Sequence, residues 1–182
     1  MSTRERAIAA AIRLVGTQGV RALTHGRVDA EAGLPRGSTS NHFRTRAALV
    51  AGVTDWIAEQ ERALLAASMT SPGTLDEVVD AFCGVLEDLT GANADRTRTR
   101  YALFLEMGGH ADVQAPLRAQ RVRFEAWTRE LLTSLGATQP DAATRAFMAF
   151  SAGLILNRLT VDRDAPLRPT VELAVRGCIA AV

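Results

Sequence analysis

"GLPRGSTSNHFRTRAAL", Gly33 to Leu49, is the stretch that decides how this chain reads. Between Arg36 and Arg44 it places a run of small and polar residues, Gly37 to His42, followed at once by Phe43. A buried helix would fill those positions with Leu, Ile and Phe. A flexible linker would not end on Phe43 and lead straight into a long segment with apolar residues at helical spacing. The pattern fits a short helix with one inward anchor and an outer face left open to a partner.

The flanking segments are helical by the same test. Over 3–18, Ile8, Ala11, Ile12 and Val15 recur at i, i+3, i+4 and i+7, and Gly19 follows as a natural stop. Thr24 reads as the N-cap of a helix over 25–32, which Gly33 ends. Pro35 suits the first turn of a third helix over 35–42, where its missing N–H costs nothing. Thr45 caps a fourth over 46–67. Helices then fit 75–91, 95–109, 113–135, 141–162 and 170–181, with breaks at "TSPGT" (70–74), "GANAD", "GGHAD" and "RDAPLRP". No alternating strand pattern appears, so the expected fold is all-α with about nine helices, divided into 1–46 and 47–182.

The totals suit a folded body: 47% of the 182 residues are hydrophobic and 23% charged, enough apolar mass for a sizeable core. The net charge of +1 hides an uneven distribution. Residues 1–50 carry eight arginines against Glu5, Asp29 and Glu31, a net of +5, while the remainder carries −4. One basic end on a mildly acidic body suits approach to a polyanion. All 21 basic residues are arginine, which fits a GC-rich coding bias. Cys83 and Cys178 stand far apart in apolar segments, as two buried small hydrophobes would. No apolar run reaches bilayer-spanning length, and "AIAAAI", bracketed by Glu5 and Arg13, is too short for a signal-peptide core. A cytoplasmic protein without a membrane partner is expected.

Three short helices near the N-terminus can share a core of Ile8, Ile12, Val15, Val20, Leu23, Val28, Leu34, Phe43 and Leu49. The second and third joined through Gly33 make a helix-turn-helix pattern. With Phe43 inward, Thr39 and Ser40 fall on or near the inner side, Gly37, Ser38 and Asn41 project outward, and His42 lies on the flank. Such a face could sink into a major groove, with Asn41 suited to adenine and the hydroxyls to either strand or a phosphate. Arg36, Arg44 and Arg46 lie where phosphates would pass. On these residues alone, a polar loop stays open as the alternative to a DNA-reading helix.

Residues 8–49 resemble the DNA-binding domain of the tetracycline-repressor (TetR) family of bacterial regulators. The resemblance rests on "AIAAAIRLVGTQGVRALT", Thr24, Val28, "AG" at 32–33, Gly37, "HF" at 42–43, Thr45, Arg46 and Leu49, in ungapped register. It implies phosphate contacts from His42 and Arg46 and backbone contacts from Thr24 and Arg27. Three departures stand out. The family usually has an aromatic where Val15 stands, Ala where Asp29 stands, and an aliphatic followed by Tyr where Thr39 and Ser40 stand. Losing the apolar pair should thin the small core, while Thr39 and Ser40 gain reach toward DNA.

In the larger part, "AFMAFSAGLIL" (146–156) is apolar or small nearly all round and needs burial on more than one side. With Val171, Ala174, Val175 and Cys178 on the last helix, it suits a four-helix dimer interface, the role that the last two helices have in the resembling family; an internal core is the alternative. A two-fold dimer would read a palindromic operator in double-stranded DNA, and a small-molecule effector would change the spacing of the two heads. The resemblance implies an effector pocket among the central helices, with Phe82, Tyr101, Phe104 and Met107 as candidates there. Trp127, Phe147 and Phe150 join them, and all seven are equally readable as core. No buried charge pattern stands out; Arg96, Arg98 and Arg100 read as a solvated face, or less readily as a site for an anionic ligand.

No catalytic, metal or cofactor residue is expected. Of three histidines, His110 with Glu106 and Asp112 comes nearest to a metal pattern and falls short of one. No nucleophile elbow or phosphate loop is present. The implied function is a ligand-responsive, sequence-specific transcriptional regulator, a repressor first. A helical interaction module without specific DNA binding is the alternative, and a small helical enzyme is the last.

Overall fold

The small hydrophobes of the first segment wind into α1 (Thr3–Gln18), started by a capping box in which Ser2 Oγ accepts from the Glu5 amide at 3.2 Å and Glu5 Oε2 accepts from the Ser2 amide at 2.7 Å. The computed structural model describes residues 1–68, 73–107, 109 and 111–180, except for the side chains of Leu65, Ala67, Ser68 and Asp112. Residues 70–72 of the expected break at 70–74, and His110, lie outside the described residues.

After a 3₁₀ turn (Val20–Ala22) come α2 (His25–Glu31), α3 (Ser38–His42) and α4 (Arg46–Ser68). Then follow α5 (Leu75–Thr90), α6 (Ala94–Glu106), α7 (Ala111–Ser134), α8 (Pro140–Thr160) and α9 (Leu167–Ile179). The fold is all-α, with nine α-helices and no strand among the described residues. Two starts differ from expectation by three residues, each for a local reason. α3 begins at Ser38 rather than Pro35, because Gly37 is left-handed (φ 89°, ψ −7°) and cannot continue a helix. α9 begins at Leu167, since Pro169 falls in the first turn, where no intrahelical N–H is needed.

The chain forms two compact units: residues 1–61 with 93–120, and residues 62–92 with 121–182. In the first, α1 buries Ile8, Ala11, Ile12 and Val15 against Leu23, Val28, Phe43, Leu49, Val53 and Leu103. The expected N-terminal core is therefore present, with Leu34 only partly buried. α1 and α6 approach so closely that a Cβ on Gly16 would lie 2.8 Å from the Asp95 carbonyl oxygen, and Thr99 Oγ1 donates to the Ile12 carbonyl at 2.8 Å. In the second unit, α5 opens with a Thr74/Glu77 capping box and packs with α8 and α9. α7 closes at Gly136 (φ 91°), whose neighbour Ala137 donates back to Leu132 at 2.9 Å, a Schellman ending.

Candidate nucleic-acid interface

The helix-turn-helix is built by backbone bonds first. Thr24 Oγ1 accepts from the Arg27 amide at 3.4 Å and starts α2. At its end Gly33 turns left-handed (φ 60°), its amide bonds Ala30, and Leu34 N–H reaches the Asp29 carbonyl at 2.8 Å, a second Schellman ending. Pro35 to Ser38 then form a turn closed by Ser38 N–H to the Pro35 carbonyl at 3.1 Å. Gly37 holds its third position, whose positive φ favours glycine in a type II turn. α3 follows for five residues and stops at Phe43, whose ring is buried.

Polar side chains then hold these pieces in place. Arg6 donates to the carbonyls of Ala32 at 2.9 Å and Gly33 at 3.3 Å, securing the turn to α1. Arg13 pairs with Glu31 at 3.0 Å. His25 lies 2.6 Å from the Phe43 carbonyl; a carbonyl only accepts, so Nε2 carries the proton. The Arg4 guanidinium lies over the Phe43 ring, 5.4 Å from its centroid. Gly52 makes room for that ring, because a Cβ there would stand 2.4 Å from Phe43 Cε1.

Asp29 is buried at 2% exposure yet fully engaged. Its Oδ2 accepts from the Gly37 amide at 2.8 Å, and its Oδ1 accepts from the Thr39 amide at 2.8 Å and the Thr39 hydroxyl at 2.5 Å. Burial pushes the carboxyl up, but the bonds from Thr39 and Gly37, with His25 nearby, outweigh it and hold the pKa below the ordinary aspartate value.

These contacts sort the expected DNA residues. Arg36, Gly37, Ser40, Asn41, His42 and Arg44 are exposed on and around α3. Thr39 is a correction: it is fully buried and committed to Asp29, so it cannot reach a base. Ser38 is half-buried and donates to the Pro35 carbonyl at 2.7 Å, which turns it along the chain rather than outward. Ser40, expected near the inner side, is exposed beside Asn41, with its hydroxyl donating to the Gly37 carbonyl at 3.2 Å. Arg46 is exposed, but its guanidinium donates to the carbonyls of Val20 at 3.0 Å and Leu23 at 3.3 Å, so it also braces the chain before α2. Thr24 and Arg27 are exposed at the start of α2, with Arg27 hydrogen-bonded to Gln18. Asp29, Arg6 and His25 escaped sequence reasoning. The one available signal was that Asp29 and Thr39 depart together from the apolar pattern of the resembling family.

The effector candidates fall in both units. Phe82, Trp127 and Phe147 are buried in the second unit, against half-buried Phe124 and Phe150: Phe82 and Phe147 have centroids 4.3 Å apart, and Phe82 and Trp127 5.2 Å. Tyr101, Phe104 and Met107 belong to the first unit and are half-buried. The arginine series of α6 is a second correction. Arg96 is 8% exposed and Arg100 Nε lies 3.2 Å from Glu61, itself 7% exposed, so a buried charged group exists where none was expected. Burial pushes the Glu61 carboxyl above its ordinary value against the pull of Arg100 and Arg96. Arg98 pairs with Asp95 at the surface. Among the described residues no cluster of three or more His, Cys, Asp or Glu could hold a metal ion, and no helix is long and apolar enough to cross a membrane.

Residues 73–181, more than half of the chain, match the family model of the tetracyclin repressor-like C-terminal domain. A TetR-family member from Streptomyces coelicolor A3 is similar over 100% of both chains, with 26% identity and a TM-score of 0.69. A transcriptional regulator from Rhodococcus sp. Rha1, at 16% identity, covers 97% of this chain and 96% of its own with a TM-score of 0.82, which speaks for the fold alone. The multidrug binding protein EbrR, complexed with ethidium, is 28% identical over 96% of this chain and 97% of its own, with a TM-score of 0.61. No curated protein matches.

Proposed function

The chain belongs to the tetracycline-repressor family of transcriptional regulators, which are not enzymes, and on that premise we propose that it is a cytoplasmic repressor that binds a palindromic operator as a dimer and is released by a small-molecule effector. The observation that carries this reading is the open face of α3. Ser40 and Asn41 are exposed beside Gly37, which keeps bulk away, and Arg36 and Arg44 stand exposed at the two ends. Short hydrogen-bonding groups suit base edges in a major groove, and flanking guanidinium groups suit phosphates. In function the chain divides near residue 46, with DNA reading before it and effector response and dimerisation after it.

Dimerisation through α8 and α9 is supported by what each helix leaves open. On α8, Ala142, Ala146, Ala149, Gly153 and Leu156 are exposed at helical spacing, opposite buried Phe147, Ser151 and Ile155. On α9, Leu173 and Gly177 are exposed in the same way, with Ala180 just past its end, whereas Val171 and Val175 of the expected stripe are buried within the chain. A Cβ added at Gly153 or Gly177 would meet open space among the described residues, so the small size there serves an approach from outside the chain. In a two-fold dimer the two α3 helices would meet half-sites about one DNA turn, roughly 34 Å, apart. For the effector, the aromatic cluster around Phe82 and the ethidium complex of the relative EbrR support a flat, aromatic ring-bearing molecule.

Selection of bound duplexes from a random double-stranded pool, by purified protein at two salt concentrations, tests the reading. A palindrome with half-sites about one turn apart is the expected product. Binding to no duplex at either salt, with or without aromatic cations such as ethidium, would overturn it in favour of a helical interaction module.

A further inference from the structure

We propose that Asp29 is the positioning residue of α3, acting with Thr39 as a latch that sets the rotation of the reading face toward DNA. The proposal rests on the DNA-binding reading above. It starts from how little α3 has of its own. With five residues it is barely more than one turn, and its N-cap, Gly37, has no side chain to satisfy the first amides. At this end Ser38 N–H bonds the Pro35 carbonyl, and the amides of Gly37 and Thr39 are satisfied from the neighbouring helix.

Asp29 does this with two parts of one residue. Its backbone carbonyl accepts from Leu34 N–H and closes α2, while its carboxylate takes the amides of Gly37 and Thr39 and the Thr39 hydroxyl and opens α3. The end of one helix and the start of the next are thereby fixed by a single residue in the last turn of α2. An apolar pair at these two positions would hold α3 by shape, which tolerates small rotations. Three hydrogen bonds to one carboxylate tolerate far less, because each weakens steeply off its axis. Rotation matters because one residue along a helix is about 100°, and Asn41 has neighbours that must not replace it at the groove floor.

The charge state follows from the surroundings. His25 is the titratable neighbour on α2 itself, and its electrostatic influence favours the carboxylate. From α1, Arg6 and Arg13 face this end of α2 but are occupied by the Ala32 and Gly33 carbonyls and by Glu31. His42 on α3 is exposed. Because the native pKa lies below the ordinary one, the latch is complete above the ordinary carboxylate range and is lost as pH falls through the native pKa.

The test uses the full chain in two measurements. The first follows the amide resonances of Gly37 and Thr39 against pH by NMR in wild type and in Asp29→Asn. Asparagine keeps the size but turns an NH₂ group toward one of the donors. Both amides should move together with one midpoint below the ordinary aspartate range, and the movement should vanish in Asp29→Asn. Amides that do not titrate in the wild type would overturn the latch. The second compares affinity for the selected duplex with affinity for random duplex in Asp29→Asn, Thr39→Ser and Thr39→Val. Preference for the selected duplex should fall about tenfold or more in Asp29→Asn, fall less in Thr39→Val and survive in Thr39→Ser, with random binding unchanged. Full preference in a folded Asp29→Asn would overturn the positioning role. If that variant does not fold, full preference in Thr39→Val would overturn it equally. A wild type that selects no duplex would instead sink the DNA reading, while the amide titration would still decide the latch.

Discussion

The first unit holds its short helices with polar contacts, and the second holds its long ones with rings. Around α2 and α3, Asp29, Arg6, His25 and Arg46 each reach a backbone amide or carbonyl of a neighbouring segment. In the second unit, Phe82 of α5, Phe124 and Trp127 of α7, and Phe147 and Phe150 of α8 stack against one another. The contrast follows from size. Helices of seven and five residues cannot bury enough apolar surface to fix their own geometry, so directional bonds must do so. Longer helices can rely on area, which is large but not directional. On the proposed function it also follows from use, because a reading head needs one orientation and an effector-binding body needs room to repack.

The largest effect should come from the body. Phe147→Ala, at a fully buried ring, should lower stability by about 3–5 kcal/mol in denaturant unfolding, and Phe147→Leu by much less. Similar losses for the two would mean that the ring geometry, not the volume, matters there. Next comes Gly52→Ala, which forces a Cβ into the space of the Phe43 ring and should cost about 1–3 kcal/mol. A neutral result would show that the ring moves freely and that the head is looser than its hydrogen bonds suggest. Smaller again is Arg46→Ala, which removes two bonds to carbonyls and should cost about 1–2 kcal/mol in the same unfolding measurement. It should also lower the salt slope of DNA binding by about one unit if its remaining N–H groups meet a phosphate. A changed slope with unchanged stability would make Arg46 a DNA contact rather than a brace.

The helices were legible in the sequence because they rest on local rules. The Ile8–Ile12–Val15 stripe, the Thr24 and Thr45 caps and the stops at Gly19 and Gly33 needed no tertiary knowledge. Phe43 could be placed inward, and that was enough to expose Asn41. The rotation of its neighbours was less legible: Thr39 and Ser40 both read as near the inner side, and only Thr39 is buried. Gly37 looks like a helix residue until the turn that requires its positive φ is known. The Asp29–Thr39 latch joins residues ten apart through a carboxylate that composition reads as surface charge, and only the fold makes it internal. The Glu61–Arg100 pair was hidden for the same reason, across a separation that no periodicity links.

The most direct test of the reading face is the affinity of Asn41→Ala for the selected duplex and for random DNA at one salt concentration. Asn41 is exposed on α3 and outside the latch, so its loss should leave the fold intact. The predicted result is a loss of about 1–3 kcal/mol on the selected duplex, relaxed preference at one base pair, and unchanged random binding. Equal losses on both duplexes, or none on either, would contradict a base-reading role for this face.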